Sequence, residues 1–248
     1  MSSTTFTNGV TLTDEDWFND VNRLHYTIFN DPADVGAAFN RIAALTEDTA
    51  ALAADFLVTS DTSASTAKKV STAKLPGQWE LINTYTPSAS ASQAILGFNS
   101  SIYSDYEIVI DRLICATDGA HLRLRTSTDG GSNYDAGASD YAWSMLISGS
   151  QENDQADSEI SPCGETVGLG NATDEVLSGR IFIVNPGAAA QCRMTWQLGF
   201  TAPTPTEYQA IGSGRRLASA DVDAVQLSFS TGNITSGTIR FYGRRKPA

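Results

Sequence analysis

From residue 79 onward apolar and polar positions alternate. In YEIVI (106–110), Tyr106, Ile108 and Ile110 share one face, and Glu107 and Val109 the other. HLRLR (121–125) alternates Leu122 and Leu124 with arginines, VQLSF (225–229) alternates Val225, Leu227 and Phe229 with Gln226 and Ser228, and TIRFY (238–242) places Ile239 and Phe241 around Arg240. A period of two predicts half-buried strands. Further strands are predicted at 79–85, 93–98, 141–148, 180–184, 191–200 and 207–211. Turn signals separate them at Asp118-Gly119, Asp129-Gly130-Gly131, Asn185-Pro186-Gly187, Gly232-Asn233 and Ser236-Gly237. Strands do not alternate with long helical segments, which argues against a parallel α/β sheet. The expectation is a mainly β protein: a jelly-roll-like antiparallel β-sandwich over 79–248.

Before residue 60 the period changes to that of a helix. Residues 4–12 read as extended, with a turn at Asn8-Gly9. Thr13 is a suitable N-cap, and Asp14, Glu15 and Asp16 suit the positive end of a helix dipole. Trp17, Val21, Leu24 and Ile28 form one stripe, with Phe18 and Phe29 beside it. Together they exceed what one short helix can bury alone, and so predict docking on another protein. Asp31-Pro32 ends that helix and starts a second. There Val35, Ala38, Ile42, Leu45, Thr49, Leu52 and Phe56 follow 3–4 spacing. The seam is two residues in seven wide, enough to pair with another helix but too narrow to organise a globular core. It predicts a coiled coil between copies, against the plainer alternative of an amphipathic helix packed on its own chain. The N-terminus is thus expected to hold two short helices: residues 1–31 as an anchor and 32–58 as a stem. Residues 59–78, rich in Ser, Thr and Ala and closing on Pro76-Gly77, have the composition of a linker.

Charge sharpens this division. The 248 residues carry a formal net charge of −12. Residues 1–60 hold nine acids against Arg23 and Arg41, a net of −7 over a quarter of the chain. An acidic surface of this kind argues against non-specific nucleic-acid or anionic-lipid binding. No apolar run approaches the roughly 20 residues of a membrane span, and no signal peptide opens the chain. Chemistry-bearing residues are scarce: two histidines, three cysteines and no CxxC or GxSxG. No metal, no cofactor and no enzymatic activity are therefore expected. Cys115 ends an apolar strand and reads as core, while a Cys163–Cys192 bond stays open. Trp79, Trp143 and Trp196 sit in predicted strands as core candidates, and QENDQADSE (151–159) reads as a solvated loop. The loop 127–140 offers Asp129, Asn133, Tyr134 and Asp135 as a ligand-contact group, against the alternative of a hydrogen-bonded turn with the tyrosine ring folded back over the sheet edge.

One resemblance adds to this reading. The opening FTNGVTLTDEDWFNDVNRLHYTIFNDP resembles the N-terminal segment of bacteriophage tail-fibre and related virion appendage proteins: a short extended lead, a T-x-x-D-W-x-N-D-V helix start and a stem. SDYEIVIDRLICATDGAHLRLRTSTDGGSNYDAGASDYAW and the ending FSTGNITSGTIRFYGRRK are similar to a β-sandwich of phage appendage and tail proteins. The resemblance implies a virion protein made in the bacterial cytoplasm and assembled as a homotrimer. Residues 1–31 would attach it to another virion protein and the β-domain would contact a host surface glycan or protein. The alternatives are a head fibre, a capsid decoration protein with a purely structural role, or an adaptor for another receptor-binding protein.

Overall fold

The structure, a computed structural model, describes residues 77–246 except 185, 188 and 189, together with four short strands nearer the N-terminus. Residue contacts divide the chain into two units, Met1–Asp55 and Phe56–Ala248. In the first, β1 (Thr4–Thr5) pairs antiparallel with β2 (Thr11–Leu12), bracketing Asn8-Gly9. The anchor residues Trp17 to Phe29 and the stem residues Val35 to Leu52 lie outside the described residues. Phe56, the last seam position, is described, and it is a strand residue. β3 (Phe56–Thr59) pairs with β4 (Lys68–Ser71), in register from Phe56↔Ser71 to Thr59↔Lys68. The β-branched Val58, Thr59 and Val70 in these two segments favour an extended backbone over a continued helix. The ladder also takes in residues with linker composition.

The remainder of the second unit is built from β5 (Trp79–Tyr85), β6 (Ser92–Leu96), β7 (Tyr103–Cys115), β8 (Leu122–Ser127), β9 (Tyr141–Ile147), β10 (Ser150–Asp157), β11 (Leu177–Val184), β12 (Arg193–Thr201), β13 (Glu207–Arg216), β14 (Ala224–Phe229) and β15 (Ile234–Arg245). All pairings are antiparallel, and no described residue is helical. Eight strands form one sheet in the order β10-β9-β13-β12-β11-β7-β15-β5, and three form a second in the order β6-β14-β8. The chain passes between sheets from β5 to β6, β6 to β7, β7 to β8, β8 to β9, β13 to β14 and β14 to β15. Beyond β8, on the side away from β14, Ile160 and Leu169 make isolated bridges to Leu124 and Ala120. The segment 158–170 thus extends the small sheet without forming a regular strand.

The alternating residues meet where the pattern predicts. Tyr106, Ile108, Ile110, Ile239 and Phe241 from the large sheet and Ile95, Leu122, Leu124, Leu227 and Phe229 from the small one join a single buried cluster. Two sheets sharing one apolar core are consistent with a β-sandwich. An aromatic group anchors it. The Tyr106 and Phe241 rings stack with centroids 5.3 Å apart, and Phe98 lies 4.6 Å from Tyr106 and 4.8 Å from Phe241. The Tyr106 hydroxyl accepts a hydrogen bond from the Asn99 amide at 2.6 Å, so its polar end is satisfied inside the core.

Three expectations are corrected. QENDQADSE is mostly strand: β10 lies at the edge of the large sheet and is exposed along most of its length. It therefore buries no apolar row that could have shown as alternation. Ser236-Gly237 lies inside β15, at register shifts against β7, with Gly237 at φ 144°, which makes it a bulge and not a turn. Trp143 and Trp196 are core, but Trp79 is 37 % exposed on the edge strand β5. The Cys163–Cys192 bond that the sequence leaves open is not formed; all three cysteines are free and buried.

Candidate functional site

In the 127–140 loop, three of the four residues singled out for ligand contact, Asp129, Asn133 and Tyr134, bond or pack within the loop, while Asp135 reaches out to Arg216. The Asp129 carboxylate accepts hydrogen bonds from the Asn133 amide (2.9 Å), the Asn133 side-chain Nδ2 (2.7 Å) and the Ser127 hydroxyl (2.7 Å). Gly130 and Gly131 sit at φ 74° and 84°, the left-handed region this turn needs. The Tyr134 hydroxyl is buried without a partner, and a Cβ at Gly131 would lie 3.0 Å from it. The ring is therefore folded in against the turn, and burial raises its pKa. Asp135 faces the other way: its Oδ2 accepts from Arg216 Nε at 2.6 Å, and its amide donates to the Thr126 carbonyl at 2.9 Å. Asp129 and Asn133 thus meet within one hydrogen-bonded turn, and Asp135 leaves it for β13.

That turn has a pH signature. The hydrogen bonds from Asn133, and then Ser127, hold the Asp129 carboxyl well below its ordinary value of 3.8, at about 2. A depressed carboxylate contributes order that is complete above the ordinary pKa and is lost as pH falls through the folded value. In an NMR titration the Asn133 amide resonance should move with a midpoint near pH 2. A midpoint near 3.8 would show that the carboxylate makes no such bonds.

A second group lies where the segment 158–166 crosses the outside of β8. Arg123 contacts Glu159 (3.2 Å), Glu165 (2.6 Å) and the Ser161 hydroxyl, and Arg125 reaches Glu159 at 2.9 Å. Hydrogen bonding from Arg123 lowers the Glu165 pKa. Burial, followed by the Arg123 charge, lowers that of neighbouring His121. Two carboxylates beside an arginine and a histidine invite a catalytic reading, but each carboxylate is already ion-paired. The arrangement clasps 158–166 onto β8 in place of a regular ladder. Among the described residues no cluster of three or more His, Cys, Asp or Glu could hold a metal ion.

The third region is the outer face of the large sheet. Its registers place Leu146, Ile211, Gln197, Arg180, Val109 and Arg240 in one cross-strand row. The next row holds Ser144, Ser213, Thr195, Phe182, Glu107, Tyr242 and Leu81, and a third runs through Arg215, Arg193, Val184, Asp105, Arg244 and Trp79. Among the described residues, seven large hydrophobic side chains are exposed, and five of them (Trp79, Leu81, Leu146, Val184 and Ile211) stand on this one face. The Trp79 ring reaches to 6.2 Å from Phe182. Arg180 pairs with Glu107 at 3.2 Å. Where β11, β12 and β13 run side by side, the face dips into a groove of about 540 Å³. Gly199 lies in it, with Gln197, Gln209, Arg180, Glu207 and Ser148 around it.

Comparisons with protein-family models, with curated proteins and with solved structures find no match. The outer-face groove was not visible in the sequence. Gln197, Gln209 and Gly199 converge through strand pairing alone, and each looks like an ordinary solvent-side strand residue. A faint signal existed in the departures from alternation: Leu146 and Ile211, apolar at outward positions, occupy directly opposed sites.

Proposed function

We propose that the chain is a bacteriophage virion appendage protein, a short trimeric fibre that contacts the host surface and does no catalysis. Residues 1–31 attach it to another virion protein, the seam from Val35 to Leu52 joins three copies, and the β-domain is the presenting end. The observation that carries this reading is the appendage-like opening, with its acidic helix start and apolar stripe, joined to a β-domain whose exposed large hydrophobics concentrate on one sheet face. That domain reads as an elaborated jelly roll. β5-β15-β7-β11 opposite β6-β14-β8 has jelly-roll order, with 158–170 in place of the eighth strand and β9, β10, β12 and β13 widening one sheet. A head fibre, capsid decoration protein or adaptor would share the anchor and stem. The concentration of exposed hydrophobics on one face, larger than a lone solvated sheet needs, favours contact with a partner over a purely structural role.

Light scattering on the intact chain tests the stem. A trimer of 26.4 kDa subunits is expected at micromolar concentration, falling toward monomer in the Leu45→Asp/Leu52→Asp variant, where like charges would be forced together on the axis. A wild-type monomer would overturn the trimeric fibre.

A further inference from the structure

We infer that the groove over β11, β12 and β13 binds a neutral oligosaccharide; this rests on the reading of the β-domain as a host-contact module. The groove lies in mid-sheet. β11, β12 and β13 are fully paired with one another along it, and their backbone donors and acceptors are used in the ladders. An extended peptide recognised by strand addition needs a free edge, and here β11 and β12 are paired on both sides. Recognition falls to side chains, which are those suited to hydroxyl groups. Gln197 and Gln209 each offer an amide that both donates and accepts, Arg180 a planar set of donors, and Glu207 two acceptor oxygens. Planar groups of this kind can meet two adjacent hydroxyls of a sugar ring at once.

Charge narrows the class further. The groove holds one cation and one carboxylate. Arg180 is already balanced by Glu107, and Glu207 accepts from the Thr201 hydroxyl at 2.9 Å. With Arg180 paired to Glu107, the charge left over is the Glu207 carboxylate; no unbalanced positive charge waits for a phosphate or carboxylate, which disfavours anionic ligands, and the glutamine amides and Glu207 oxygens suit hydroxyl groups. Its volume falls in the range of small-ligand sites. Gly199 leaves the floor clear: a Cβ there would meet nothing closer than Glu207 Oε1 at 3.5 Å. The flanks are apolar. Ile211 and Leu146 continue the Gln197 row on one side. On the other, Phe182 follows Arg180 two residues along β11, about 7 Å away, with Trp79 against it. Sugar rings present C–H faces as well as hydroxyls, and polar floor beside apolar flank suits both.

The test is binding of the full-length chain to an immobilised panel of neutral and acidic oligosaccharides, followed by titration of the best neutral ligand. Wild type should bind one or more neutral members. Gln197→Ala/Gln209→Ala should weaken that binding at least tenfold. Gly199→Gln, which fills the floor and whose Cβ comes no nearer to backbone than the Tyr208 carbonyl at 4.0 Å, should abolish it. Gln197 and Gln209 are exposed and Gly199 is half-buried, and unchanged thermal unfolding would confirm that the variants fold. Binding to no neutral member, preference for acidic members, or equal affinity in folded variants would each overturn the inference. Labelling assembled phage particles with an antibody to the chain separates the two claims. A chain found on the particle that binds no glycan sinks the groove alone, whereas a chain absent from particles sinks the virion reading even if the glycan binds.

Discussion

Phe241→Ala should lower the stability of the β-domain by about 3–5 kcal/mol, the usual cost of removing a buried aromatic ring. Phe241 is fully buried, stacks on Tyr106 and packs against Phe98. It stands on β15, which joins β5 to β7. The cavity would open among rings fixed from both sides, with little room to collapse into it. Two buried tryptophans, Trp143 and Trp196, report unfolding by fluorescence in a denaturant titration of the full chain. The midpoint should fall sharply with little change in slope. A loss below about 1 kcal/mol would mean that the aromatic group repacks, and that the core is less well defined than its ring geometry implies.

The second large effect concerns charge. Asp135→Asn should cost about 2–4 kcal/mol, because it leaves the Arg216 guanidinium, 8 % exposed, without its counter-ion. The figure lies toward the low end for a buried pair because Asp135 itself keeps a quarter of its side chain in water. Arg216 also donates to the Ala218 carbonyl at 2.9 Å, and the Tyr141 hydroxyl donates to the Asp135 carbonyl at 3.2 Å. The pair therefore ties the 127–140 loop to the end of β13. Adding Arg216→Met to Asp135→Asn should recover most of the lost stability, since a removed pair leaves no stranded charge. If the double variant were as unstable as the single, the loss would come from the Thr126 hydroxyl bond to Asp135 Oδ2 (3.3 Å) and not from the ion pair.

The strands were legible because this fold leaves one face of most of them against the core and the other in water. Tyr106, Ile108 and Ile110 are buried, while Glu107 and Val109 are half-buried. The same holds for Leu122 and Leu124 on β8 and for Val225, Leu227 and Phe229 on β14. Where that condition fails, the signal fails. β10 is an edge strand with nothing to bury, and its polar residues read as loop. The bulge at Gly237 looked like a turn because a glycine at positive φ serves both. Sites are harder to read than strands, because their residues are distant in sequence. Asp129 and Asn133 were grouped correctly, since a turn is local. Asp135 and Arg216 are 81 residues apart, and the Gln197–Gln209 groove depends on register, which no short window contains.

The position of β15 has a consequence for how the domain comes to exist. It lies between β5 and β7, yet more than a hundred residues separate it from either in the chain. Until it arrives, β5 and β7 have no hydrogen-bonding partner between them. The apolar rows of β7, β8 and β14 have no completed partner sheet to close against. During synthesis the ribosome therefore releases a long stretch of aggregation-prone strand that must wait for its centrepiece. Folding is set by a distant closure with a large loop entropy, so it should be slow and concerted. A cell producing this protein in quantity would need to keep those waiting edges apart, by chaperones or by low local concentration of unfinished chains.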